Sequence, residues 1–255
     1  MRENESRDPQ IERTDKAGFI TKASAQYCKV FPLRAAIQAI PGLGSSLDTM
    51  LAGLGAKWKY DRLEDFIAKL SERLSGLEQT GCLGSVEPNE PLFDFMMQVF
   101  DQVIRTRSGE KRKRFANLVA KQVTEKCDWD EAETASRLIG GLSDNHIRIL
   151  EIAINAPCYK DVFGGRGVIT IEDRSAVAAF AKDEVTYLQD ILAGLTPMYI
   201  RMVCVELLSR SLLSNLQMEC IDTVGQQLYS ASALATWLMD WISEPGGTKN
   251  AGDSD

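Results

Sequence analysis

The stretch that most limits what this chain can fold into lies between Asp61 and Leu77. Leu63, Phe66, Ile67, Leu70, Leu74 and Leu77 recur at steps of three and four, while Asp61, Arg62, Glu64, Asp65, Lys69, Glu72 and Arg73 take the other side of the turn. The spacing predicts an amphipathic helix of about four to five turns, whose apolar stripe other helices must cover. Before it runs a glycine-rich apolar segment, Leu33 to Ala56. Pro41-Gly42-x-Gly44 breaks one short helix, Ser45 or Ser46 caps the next, and Gly53-x-Gly55 ends that one, which predicts a helical hairpin.

The chain has 255 residues, 44% of them hydrophobic, enough to bury a core in one large domain or two smaller ones. A net charge of −7 excludes a surface built wholly for nucleic acid or anionic lipid, but leaves room for a local basic patch. The first sixteen residues are polar and of mixed charge, with no apolar signal-peptide core, so a cytoplasmic protein is expected. Six cysteines stand at positions 28, 82, 127, 158, 204 and 220 without a C-x-x-C pair. They read as reduced, mostly buried thiols, and no metal or cofactor is expected.

In chain order, residues 1–17 predict a disordered arm, and 18–141 a helical bundle. Residues 76–89 read as a loop, with Asn89 and Pro91 starting a helix through Phe93, Met96, Met97, Phe100, Val103 and Ile104, ended by Ser108-Gly109. The next helix, about Glu110 to Lys126, buries Phe115, Leu118, Val119 and Val123. Asp130 caps a short helix that Gly140-Gly141 stops, and the domain boundary is placed there. Ser143 opens a helix with Ile147, Leu150, Ala153 and Ile154 on its core face. A loop with Gly164-Gly165-Arg166-Gly167, a short strand at 168–171 and helices at 173–181 and 183–194 follow. Thr196-Pro197 starts a helix with Ile200, Val203, Cys204, Leu207 and Leu208 inward; segments 216–221 and 227–230 predict a two-stranded ribbon, and a last helix carries Leu234, Trp237, Leu238, Trp241 and Ile242. The tail, 244–255, is rich in Gly, Ser and Asp and is expected to be disordered. The fold class is therefore mainly α.

The order of elements in 142–243, with ELLSRSLLS before the ribbon and SALATWLMDWI after it, resembles a winged-helix domain with an insertion between its first two helices. Residues 33–141 resemble the helical half of bacterial proteins of the abortive-infection alpha type. The resemblance rests on an Ile-Pro-Gly turn, an Arg-x-x-x-Phe helix (Arg62, Phe66), and a Lys/Arg-rich Phe-Ala-x-Leu helix (Phe115, Ala116, Leu118) leading to Leu142-Ser143. It implies a role in phage defence or as an accessory of a mobile element.

Among candidate sites, Lys111-Arg112-Lys113-Arg114 is the densest charge, fit for phosphates or an acidic partner, although cations at a helix start oppose the macrodipole. A winged helix would read DNA with the helix that carries Arg201 and Arg210, but seven Lys and Arg against twelve Asp and Glu in 142–243 give a net of −5, which disfavours nucleic acid there. Ser143, Asp144 and His146 are too close in sequence to read as a triad and suit a helix cap. The glycine loop at 164–167 lacks the Lys-Ser/Thr of a P-loop and reads as a flexible connection. Gly42, Gly44, Gly53 and Gly55 would let the hairpin close-pack in a membrane, but Asp48 would cost about 2.5–3.5 kcal/mol there, so no membrane insertion is expected at rest. The expectation is a non-enzymatic interaction protein with a protein partner or a second copy of itself. The alternatives are a DNA-binding regulator and a membrane-active effector.

Overall fold

The computed structural model describes residues 55–79, 89–158, 165–172, 185–216 and 227–243. The expectations for the two termini, for most of the glycine-rich hairpin, for the helix at 173–181 and for much of the ribbon lie outside these residues. The chain divides into two compact units, the first with its described residues ending at Gly140 and the second spanning Gly141–Ser243. The described residues are mainly helical, with four short strands confined to the second unit.

The first unit is built from α1 (Ala56–Gln79), α2 (Glu90–Arg105), α3 (Gly109–Glu125) and α4 (Trp129–Gly141). All six stripe residues of α1 are buried against α2 and α3, with the Phe66 ring meeting Phe100 edge-on at 6.0 Å. At about 1.5–3 kcal/mol per large side chain, this stripe is a main source of the unit's stability. The helix runs past Gly76, where a loop is expected from the sequence, to Gln79. A glycine there costs about 1 kcal/mol of helix propensity, and burial of Leu74 and Leu77 on either side offsets it.

Asn89 caps α2 by accepting the Leu92 N–H at 2.9 Å. The buried set of α2 includes Leu92, Phe95 and Val99, while Phe93 and Met97 are only half-buried, so its core face is rotated from the one the sequence suggests. Ser108 does not close α2, which ends at Arg105; its hydroxyl accepts the Lys111 N–H at 2.9 Å and opens α3. Asp128, not Asp130, starts α4, taking the Asp130 N–H on its carboxylate at 2.8 Å and the Ala132 N–H on its carbonyl at 3.1 Å. Nor does Gly140-Gly141 stop that helix, which includes both. A Cβ on Gly140 would stand 2.7 Å from Gln102 Oε1, the far end of a flexible side chain on α2.

The second unit contains α5 (Asp144–Ile154), β1 (Ile169–Thr170), β2 (Thr186–Tyr187), α6 (Leu188–Ile191), α7 (Pro197–Ser209), β3 (Leu213–Asn215), β4 (Leu228–Ala231) and α8 (Ala233–Ile242). The strands form one sheet in the order β2-β1-β4-β3, with β1 parallel to β2 and the other pairs antiparallel. Of the expected ribbon, only the segment 227–230 coincides with a strand, β4; its antiparallel partner β3 lies at Leu213–Asn215, ahead of the expected 216–221, most of which is outside the described residues. The expected helix at 183–194 shrinks to the single turn of α6, because Val185 and Tyr187 alternate inward with Val168, Leu216 and Leu228 in one cluster. β-branched and aromatic side chains at 185–187 suit that pleated surface better than a helix. Gly167 is not a slack connection: it bridges Cys158, and a Cβ on it would fall 2.4 Å from the Ala156 carbonyl oxygen. Ile200, Val203, Cys204 and Leu207 of α7 and Leu238, Trp241 and Ile242 of α8 complete the core, with Leu208, Leu234 and Trp237 half-buried. Burial pushes the Cys204 thiol up to about 12, so this cysteine is a small apolar group and not a nucleophile.

Candidate functional site

The cationic run on α3 is not one patch. Four consecutive residues point in four directions around a helix, about 100° apart, so neighbouring side chains meet different surroundings. Lys111 Nζ donates to the Gly140 carbonyl at 2.8 Å. Arg112, with its side chain 13% exposed, donates from Nε to Asp65 at 2.5 Å and from Nη1 to the carbonyls of Thr106 and Arg107 at 3.2 Å each. Lys113 is exposed and Arg114 half-buried.

What gathers charge is the packing of α1 alongside α3. The two run in the same direction, with Asp65 meeting Arg112 and Arg73 Nε donating to the buried Asn117 Oδ1 at 2.9 Å. Between them lie two depressions. The first, about 200 Å³, is lined by Trp58, Asp61, Arg62, Arg107 and Arg112. The second, about 370 Å³, is lined by Lys69, Glu72, Arg73, Lys113, Ala116 and Asn117. Arg62 and Lys69 are seven residues apart on one helix, so the two depressions follow each other by about 10 Å. Asp65 joins them, holding Lys69 on one side and Arg112 on the other.

Six cations therefore line the cleft against Asp61, Asp65 and Glu72, on a chain whose net charge is −7. Partial burial raises the Asp65 carboxyl, but the hydrogen bonds and charges of Lys69 and Arg112 outweigh it and hold the group below its ordinary value. Asp65 is thus an anion that fixes two of the cations in place. Arg62 is fixed as well, its Nη1 donating to the Ile104 carbonyl at 2.7 Å. A cleft of pre-oriented guanidinium and ammonium groups suits phosphate or carboxylate oxygens.

The other candidate residues lie apart from this cleft. Arg201 stands on α7, 3.7 Å from Glu172. Gly55 precedes α1 with φ at +80°, a backbone that favours glycine, while Gly42, Gly44 and Gly53 lie outside the described residues. Ser143 caps α5 in a reciprocal box: its N–H donates to His146 Nδ1 at 3.2 Å and its hydroxyl accepts the His146 N–H at 3.4 Å. That bond leaves the ring proton on Nε2, which donates to Glu206 Oε2 at 2.7 Å, while the Ser143 hydroxyl sits 2.6 Å from Nδ1. The series hydroxyl, imidazole, carboxylate has the order of a catalytic triad, but each bond is accounted for by the cap and by tying α5 to α7. Glu206 had no signal in the sequence, since sixty positions separate it from His146.

Of the residues lining the cleft, only Arg112 and Lys113 are candidates from the sequence; Trp58, Asp61, Arg62, Lys69, Arg73 and Arg107 are among those it did not single out. Arg62, Lys69 and Arg73 share the polar side of the α1 pattern, which was a signal, but nothing local shows that this side faces α3. Among the described residues, no group of His, Cys, Asp and Glu could hold a metal ion, and no helix is long and apolar enough to cross a membrane. No family model, curated protein or solved structure matches the chain.

Proposed function

We propose that this is a non-enzymatic interaction protein that holds an anionic partner in the α1–α3 cleft. The supporting observation is the convergence of Arg62, Lys69, Arg73, Arg107, Arg112 and Lys113 on two consecutive depressions. Two of these, Arg62 and Arg112, are braced by main-chain carbonyls, so little side-chain entropy is lost when an anion arrives. The length of the cleft, about 10 Å between its two parts, suits a ligand with repeated negative charge better than a lone anion. A place among phage-defence or mobile-element proteins accords with the resemblance of residues 33–141 and with nothing in the cleft itself.

A DNA reader in the second unit has less support. Its α7 turns Met198, Met202 and Val205 outward, exposed by 75%, 49% and 52%, and its exposed Glu206 carries the charge opposite to the one DNA would require. The cleft reading is tested by titrating the full chain with inorganic polyphosphate by calorimetry at 50 and 300 mM salt. Binding that weakens with salt, and that drops at least tenfold in an Arg107→Glu/Lys113→Glu double variant, is expected. Equal binding by the wild type and the double variant, or no binding by either, would sink it.

A further inference from the structure

We infer that the end of the cleft nearer the start of α1 takes a nucleobase, and that the anionic partner is single-stranded nucleic acid. The inference rests on the proposed anion-binding role of the cleft and adds the identity of what binds. Its evidence is the mixed chemistry of the first depression. Trp58 is 68% exposed, the most exposed of the large rings in the described residues, and it lines the same 200 Å³ space as Arg62, Arg107 and Arg112. A solvent-facing indole gains nothing for the core, and beside three guanidinium groups it offers a flat apolar surface within reach of cations.

The same wall carries Asp61, an exposed acceptor-only carboxylate. A site meant for bare phosphate gains nothing from a carboxylate. A nucleotide fits all three features, with its phosphate on the guanidinium groups, its ring on the indole and an exocyclic amino group donating to Asp61. The side chains of an acidic peptide carry only acceptors and no flat ring. The second depression, about 10 Å further along α1, adds Lys69, Arg73 and Lys113 for phosphates of the same strand. An interior paired base is stacked on both faces and cannot turn one to Trp58, so along its length a duplex would meet only the cations.

The test is fluorescence anisotropy of the full chain with labelled fifteen-residue oligo-dC, the same duplex-paired oligonucleotide, and labelled oligo-aspartate at 50 mM salt. Oligo-dC is expected to bind best. Trp58→Ala should weaken that binding by at least about fivefold and Trp58→Phe should restore most of it, since stacking needs only a π face. Arg107→Ala should lower the steepness of the logarithmic salt dependence by about 0.7, one phosphate contact on a single strand. Unchanged binding in Trp58→Ala, or stronger binding of duplex or oligo-aspartate than of oligo-dC, overturns the nucleobase inference. If oligo-aspartate binds more strongly than oligo-dC and the Arg107→Glu/Lys113→Glu variant loses it, the anion cleft survives and only the nucleobase reading fails. If no polyanion binds, both fail. The exposure of Trp58 makes misfolding an unsuitable explanation for its variants, and circular dichroism of each variant checks this.

Discussion

α3 in the first unit and α7 in the second are both capped by a hydroxyl and both bury side chains in their own core, α3 at every position from Phe115 to Val123 and α7 along one face, yet their charged and exposed residues differ in kind. On α3 the polar residues meet a second helix, and Arg112 and Lys113 join side chains of α1 around one cleft. On α7 the outer face carries Met198, Met202 and Val205 beside Arg201 and Glu206, and its two charges turn to Glu172 and His146 of the same unit. The difference shows that a charge run in sequence matters less than whether packing sets a second helix's charges beside it. Lys111, the first residue of the densest run, is directed away to the Gly140 carbonyl. Arg107, which belongs to no regular pattern, sits in the cleft wall.

The largest expected effect breaks the packing that makes the cleft. Phe66→Ala removes a fully buried ring from the α1–α2 contact and should cost about 3–5 kcal/mol, read as a lower midpoint in urea with an unchanged slope. If the cleft depends on this packing, polyphosphate binding falls as the unit unfolds, and binding that persists in an unfolded first unit would separate the two.

A smaller effect is expected of Asp65→Asn, which frees Lys69 and Arg112 without opening the core. Because the Asp65 carboxyl titrates below its ordinary value of 3.8 in the folded chain, its contribution is present above that value and is lost as the pH falls through the folded-state value. The wild type should therefore be more stable than the variant at pH 7, with the gap closing below about pH 4. A gap that widens in acid would mean that the carboxylate is not what the two cations hold. Exposure of about a third of the side chain keeps the effect modest.

The smallest effect is expected on α7. Met202→Ser changes an exposed side chain and should alter stability by no more than about 0.5 kcal/mol. A loss of 2 kcal/mol or more would show that this face is covered in solution, and the comparison between the two helices would have to be redrawn.

The sequence by itself determined the helical class, the buried stripe of α1, the caps at Asn89, Ser143 and Thr196, and the inward positions Ile200, Val203, Cys204 and Leu207 of α7, though not Leu208. These follow from spacing within one or two turns, and packing leaves such local patterns intact. Only the tertiary structure decided the rest. The turn of chain at 185–187 became a strand because β1 lay beside it to pair with, and the helix the sequence would have stopped at Gly140-Gly141 includes both. The cleft had to wait for the fold for the same reason. Its residues come from positions 58 to 117, and the two helices that supply most of them are joined across α2, so no window of sequence holds them together. Polar side chains on a helix are alike to a sequence reader until a neighbouring helix selects which of them share a surface.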